Sequence, residues 1–154
     1  ANDELEALRK KYGPYDFVFK KYEGIGHGFP KDGVTPIFTW MLGKKRDPLP
    51  KQVLWRSLRD YKHHFYWLRR AAVNGPNVDF QRDGNKFTVT GPTGGCWIML
   101  NEKMAKFDQP VTVVTDGGQE LFNAKPAYSL AATLESIAAK NDPEMCFSAW
   151  IQLP

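Results

Sequence analysis

A chain of 154 residues with 42% hydrophobic and 14% aromatic side chains has the material for a packed core, as one domain or as one small domain plus a fragment of another. Its net charge of +4 comes from scattered basic residues, the densest group being Lys44-Lys45-Arg46 followed at once by Asp47, so no basic stripe marks a nucleic-acid face. No apolar run approaches the roughly 20 residues that cross a bilayer, and no CxxC pair marks a zinc site, so neither a metal nor a cofactor is expected.

Residues 2–12 read as a short helix. Asn2 or Asp3 caps it, acidic residues fill its first turn, and Arg9, Lys10 and Lys11 load its end. Leu5, Leu8 and Tyr12 share one face, and Gly13-Pro14 stops it. The acidic start Asn2-Asp3-Glu4 is unlike the basic opening of a signal peptide. Phe17-Val18-Phe19 followed by Lys20-Lys21-Tyr22 predicts a strand, buried on both faces as in a parallel sheet. The loop Glu23-Gly24-Ile25-Gly26-His27-Gly28-Phe29-Pro30 comes next. Thr35 is expected to cap a second helix with Pro36 in its first turn and Gly43 at its end. Ile37, Phe38, Trp40, Met41 and Leu42 make that helix apolar on most sides, so it needs cover from several directions. Asp47-Pro48-Leu49-Pro50 then breaks the chain, and residues 1–47 and 51–154 read as separate units.

Beyond residue 50 the pattern turns to strands. One begins at Val53-Leu54-Trp55 and another runs from His64 to Leu68. Val78–Gln81 and Lys86–Thr90 form a hairpin with Asp83-Gly84 at its turn. Gly94-Gly95 precedes a strand from Cys96 to Leu100. Val111–Thr115 and Gln119–Asn123 flank Asp116-Gly117-Gly118 as a second hairpin. One helix interrupts, capped by Ser129, with Leu130, Leu134, Ile137 and Ala138 as its apolar face and Asn141-Asp142-Pro143 as its stop. Met145 to Leu153 is a last strand. The fold class is α+β, and residues 51–154 are expected to form an antiparallel β-sandwich with one covering helix. Cys96 and Cys146 lie in apolar runs as buried thiols. A disulfide between them stays open, since spacing alone cannot decide it.

The chemistry centres on His27. An imidazole with an ordinary pKa near 6.5 accepts and returns a proton near neutrality. Glycines on both sides let the backbone turn sharply and let a substrate approach. The order of helix, strand 17–22, Gly26-His27-Gly28-Phe29-Pro30 and a helix carrying Trp40 resembles the last αβα segment of the α/β-hydrolase fold, over about the first third of the chain. The continuation through Lys45-Arg46-Asp47-Pro48 into a β-rich tail is similar to prolyl-oligopeptidase-like or esterase-like hydrolases with a C-terminal extension. The resemblance implies that His27 is the histidine of a serine-hydrolase triad acting on ester or peptide bonds. It also implies that residues 1–47 are the terminal helix-strand-helix unit of the catalytic sheet. The rest of the triad is missing from this sequence. No Gly-x-Ser-x-Gly elbow is present, and Ser57, Ser129, Ser136 and Ser148 do not follow strands on glycine-flanked turns. Asp3 and Asp16 precede His27, but Asp16 lies at the wrong end of the histidine's own strand. Nucleophile, acid and oxyanion-hole donors are expected from an upstream catalytic segment of the same parent chain, which makes this portion inactive alone.

His63 and His64, adjacent on a strand, would point to opposite faces and cannot chelate one metal. Phe65-Tyr66-Trp67, Trp55, Trp97 and Trp150 read first as core packing, with a sugar-stacking platform as the alternative. The second functional expectation is therefore a non-catalytic β-sandwich module that binds carbohydrate or protein. A strand and a helix without their sheet neighbours leave open edges and apolar patches, so self-association through residues 1–43 is expected.

Overall fold

The computed structural model describes residues 2–12, 18, 20–56, 61–71 and 75–154. It is α+β and divides into two compact units, Ala1–Arg46 and Asp47–Pro154.

Among its described residues the first unit holds two helices. Helix α1 spans Asn2–Tyr12, with Asp3 and Glu4 in its first turn and Arg9, Lys10 and Lys11 in its last, the arrangement that favours a helix macrodipole. The side chains of Asn2 and Tyr12, the stop at Gly13-Pro14, and Asp16, Phe17 and Phe19 lie outside the described residues. Val18 and residues 20–22 belong to no strand, which corrects the expected strand over 17–22. The physical reason is pairing: among the described residues this unit has no second strand to supply a hydrogen-bonded ladder. Helix α2 spans Thr35–Leu42. Thr35 is not its cap. The helix starts after Val34, whose carbonyl accepts from the Ile37 and Phe38 amides, and no side chain caps it. Pro36 pre-sets the first turn and Gly43 closes the last, its amide donating to the Thr39 carbonyl at 3.3 Å. Not one described residue between 3 and 46 with an assigned burial is buried.

The second unit is built on two sheets. Strands β1 (Gln52–Trp55), β2 (His64–Phe65), β3 (Leu68–Arg70), β4 (Val78–Asp83), β5 (Lys86–Thr90), β6 (Cys96–Leu100), β7 (Val111–Thr115), β8 (Glu120–Ala124) and β9 (Ala149–Gln152) follow in order, with helix α3 (Leu130–Lys140) between β8 and β9. One sheet has the order β1-β4-β5-β7-β8 and the other β2-β3-β6-β9. Inward positions alternate with outward ones, so Val78 and Phe80 of β4, Phe87 and Val89 of β5, Ile98 and Leu100 of β6 and Ala149 and Ile151 of β9 all enter a single core. Both sheets contribute to it.

Three features differ from the expected pattern. Pairing is not wholly antiparallel: β5 and β7 run parallel, because β6 between them belongs to the other sheet and the chain returns in the same direction. The run His64–Leu68 is two strands with a reversal at Tyr66-Trp67, Phe65 pairing with Leu68. Tyr66 takes φ 52°, and Trp67 turns inward to full burial, its indole donating to the Pro50 carbonyl at 2.9 Å and meeting Phe80 and Phe87 edge to face. The final strand is shorter than residues 145–153, since Pro143–Met145 form a 3₁₀ turn before β9.

Helix α3 is the largest correction. Its ends are as expected: Ser129 accepts from the Ala132 amide at 3.2 Å, and Asn141 takes a left-handed cap. Its orientation is reversed. Ala132 and Ser136 are buried, while Leu130, Leu134 and Ile137 are exposed. The Ser136 hydroxyl donates to the Thr133 carbonyl and accepts from the Phe147 amide at 3.0 Å, so satisfied polar contacts select the inward face. Cys96 and Cys146 are free thiols, the first buried and the second half-buried. No helix of the described residues is long and apolar enough to cross a membrane.

Candidate functional site

The His27 loop is shaped by two left-handed glycines. Gly24 takes φ 73° and Gly26 φ 54°, conformations an L side chain adopts only with strain. The Gly28 amide donates to the Ile25 carbonyl at 2.8 Å, closing a turn with His27 inside it. The imidazole is exposed, and among the described residues no hydrogen bond joins it to another side chain. Asp32 is the acidic residue that structures this region. It accepts from the Tyr22 hydroxyl at 3.2 Å and pairs with Lys20 at 3.6 Å, so it braces the loop's two flanks. Lys21 pairs with Glu23 at 2.7 Å. The residues that flank the loop, Val18, Lys20 and Tyr22 on one side and Pro36, Ile37 and Trp40 on the other, line a groove of about 450 Å3.

The first unit contains no serine and no cysteine, so it holds neither of the nucleophiles that a hydrolase histidine most often activates. Ser57 lies outside the described residues. Ser129 and Ser136 are engaged in capping and in the α3 contact, and the Ser148 amide donates to the Leu100 carbonyl. Burial pushes the Cys96 thiol above its ordinary range, against the lowering effect of the adjacent Arg70 guanidinium. A buried protonated thiol is a poor nucleophile.

The second unit brings together a different group. His63 precedes β2 and its Nδ1 meets the Arg70 carbonyl at 3.0 Å, whereas the His64 Nε2 meets Glu135 at 3.0 Å. The two histidines thus serve separate partners. No three His, Cys, Asp or Glu side chains converge as metal ligands among the described residues. Glu135 on α3 also accepts from the Arg69 Nε. A carboxylate only accepts, so the neutral His64 ring carries its hydrogen on Nε2. The Arg69 guanidinium lies 4.1 Å from the Trp97 ring centroid, a cation–π contact. Register aligns His64, Arg69, Trp97 and Gln152 in one row across all four strands of the sheet. Burial lowers the His64 pKa from its ordinary value, and this outweighs the raising effect of Glu135. Glu135, Arg69 and Trp97 carry no sequence signal for this role. Glu135 is 71 residues from His64, and no local motif links them.

No family model, curated protein or solved structure matches the chain.

Proposed function

We propose that this chain is the C-terminal portion of a serine hydrolase of the α/β-hydrolase kind, with His27 as the general base of an acyl-transfer site on ester or peptide bonds. The observation that carries the reading is the His27 loop: an exposed imidazole held between turns by left-handed Gly24 and Gly26. It is followed in the chain by the apolar helix α2. In this reading residues 1–47 are the terminal αβα segment of a catalytic sheet. Helix α2 gains its cover from a preceding catalytic segment that also supplies nucleophile, acid and oxyanion-hole donors. The serine hydroxyl attacks the substrate carbonyl while His27 takes its proton, then returns that proton to the leaving group. A carboxylate orients the imidazole. Residues 51–154 form an appended β-sandwich with α3 as its covering helix.

The test is made on a protein that includes the preceding segment. A fluorophosphonate probe should label its serine, and His27→Ala should cut p-nitrophenyl ester turnover by at least about 10³-fold. The chain from Ala1 to Pro154 alone should be inert. Turnover by the purified chain alone, abolished by His27→Ala, would overturn the assignment of the nucleophile to a preceding segment.

A second reading has its own observation. The row His64, Arg69, Trp97 and Gln152 sets an indole among hydrogen-bonding groups on one sheet face, a pattern that suits a binding module for carbohydrate. Titration with neutral oligosaccharides, followed by tryptophan fluorescence in wild type and Trp97→Ala, separates the two readings.

A further inference from the structure

Adjacent basic residues occur in four runs: Arg9-Lys10-Lys11, Lys20-Lys21, Lys44-Lys45-Arg46 and Arg69-Arg70. Their settings differ. Arg9, Lys10 and Lys11 form the last turn of α1. Arg69 and Arg70 lie in β3, and Arg70 is buried. Lys20 and Lys21 pair with Asp32 at 3.6 Å and Glu23 at 2.7 Å. Lys44, Lys45 and Arg46 are all exposed, and none belongs to a helix or a strand. The Lys44 amide donates to the Met41 carbonyl at 3.0 Å and closes the end of α2, and its ammonium lies 4.6 Å from the Trp40 ring centroid. Lys45 and Arg46 follow beyond that closure. The division between the two compact units falls at the Arg46–Asp47 bond. Pro48 biases Asp47 towards extended backbone. Anchoring resumes at Leu49, which is buried and whose amide donates to the Asp47 carboxylate at 2.9 Å.

We propose that Lys45-Arg46 is a processing site for an endoprotease that reads paired basic residues, and that the bond cut is Arg46–Asp47. Exposed segments outside regular structure are where chains are nicked. A helix must unwind, and a strand must leave its ladder, before either can enter a protease cleft, which sets aside Arg9-Lys10-Lys11 and Arg69-Arg70. A cleft lined by carboxylates holds an arginine by a bidentate pair and the preceding lysine as a point charge. Lys20-Lys21 offers no arginine, and its charges already face Asp32 and Glu23. Water adds across the Arg46–Asp47 amide and leaves a carboxylate on Arg46 and an ammonium on Asp47. Among the described residues the whole buried hydrophobic cluster lies between Leu49 and Leu153, so the released 47–154 product keeps its packing. The inference rests on exposure, local backbone and charge, and is independent of what His27 does.

The test treats the full chain with catalytic amounts of trypsin or of an endoprotease that requires Lys-Arg before the bond, and follows intact mass with time. Both should give residues 1–46 and 47–154 as first products, and 47–154 should persist. Lys45→Gln should slow the Lys-Arg-specific enzyme at least about tenfold, whereas trypsin, which reads Arg46 alone, should continue. Lys45→Arg should restore the cut, and Lys21→Gln should leave it unchanged. Lys45 is exposed, so neither of its changes enters a packed core. A first cut after Lys11, Lys21 or Arg70 overturns the proposal. So does a chain that resists both enzymes, a 47–154 product that disappears as fast as it forms, or a Lys45→Gln chain that the Lys-Arg-specific enzyme cuts like the wild type.

Discussion

The Glu135 carboxylate on α3 accepts a hydrogen bond from the Arg69 guanidinium on β3, and this pair fastens the helix to the sheet by its polar side. Both side chains are less than a third exposed. Removing the acid leaves Arg69 and His64 without their shared acceptor, whereas Leu134, one residue earlier, touches mainly solvent. Glu135→Ala should therefore cost about 1–2 kcal/mol of unfolding free energy, and Leu134→Ala should stay within about 0.5 kcal/mol. Urea denaturation of both variants measures the contrast. Equal losses would mean that α3 is held by its leucines after all.

His64 makes the same contact sensitive to acid. Its folded pKa lies below its ordinary value of 6.5, because burial outweighs the attraction of Glu135, while Lys140 and Arg69 facing it lower the pKa further. The unfolded chain then binds more protons than the folded one between the folded pKa and 6.5, so stability is full above 6.5 and falls as pH drops through that window. Urea midpoints from pH 7.5 to 5.5 should decline. His64→Gln, which keeps an N–H donor for Glu135, should flatten part of that slope. An unchanged slope would remove His64 from the account.

Trp67 holds the reversal between β2 and β3. The ring is fully buried against Phe80 and Phe87, and its one polar group is satisfied by Pro50. Trp67→Ala should cost about 3–5 kcal/mol, the range for a large aromatic lost from a core. Trp67→Phe keeps most of the volume and removes the indole donor, while the Pro50 carbonyl keeps the Arg82 Nε at 3.3 Å, so it should cost about 0.5–1.5 kcal/mol. Thermal or urea unfolding of the two variants orders them.

The reversal at Trp67 also shows what could be read from sequence. Helix ends are legible at Ser129, whose side chain caps the start of α3, and at Asn141 and Gly43, whose backbone amides close α3 and α2. The β4–β5 hairpin was legible because Gly84 takes φ 54° in a two-residue loop. The Tyr66-Trp67 turn carries no Gly, Asn or Asp, and Tyr66 enters the left-handed region because the Trp67 contacts hold it there. The buried face of α3 departs from its leucine pattern for a related reason. Leucine periodicity marks an apolar stripe, but the stripe faces outward, since the inward side is set by Ser136 and Glu135 meeting partners distant in the chain. The turn at His27 is legible from Gly26 beside it, which takes φ 54°. The His64, Glu135 and Arg69 cluster is not, because it is assembled by tertiary contact alone.

The core supplies the last prediction. Among the described residues, every buried member of the hydrophobic cluster lies between Leu49 and Leu153, and none comes from the first unit. Arg82, which donates to the Leu49 and Pro50 carbonyls, ties the start of the second unit to β4. A chain beginning at Asp47 retains all of these contacts. It should unfold with a urea midpoint close to that of residues 1–154. Urea denaturation of the two chains tests this. A large loss of stability would mean that residues 1–46 support the core although none of their described residues belongs to it.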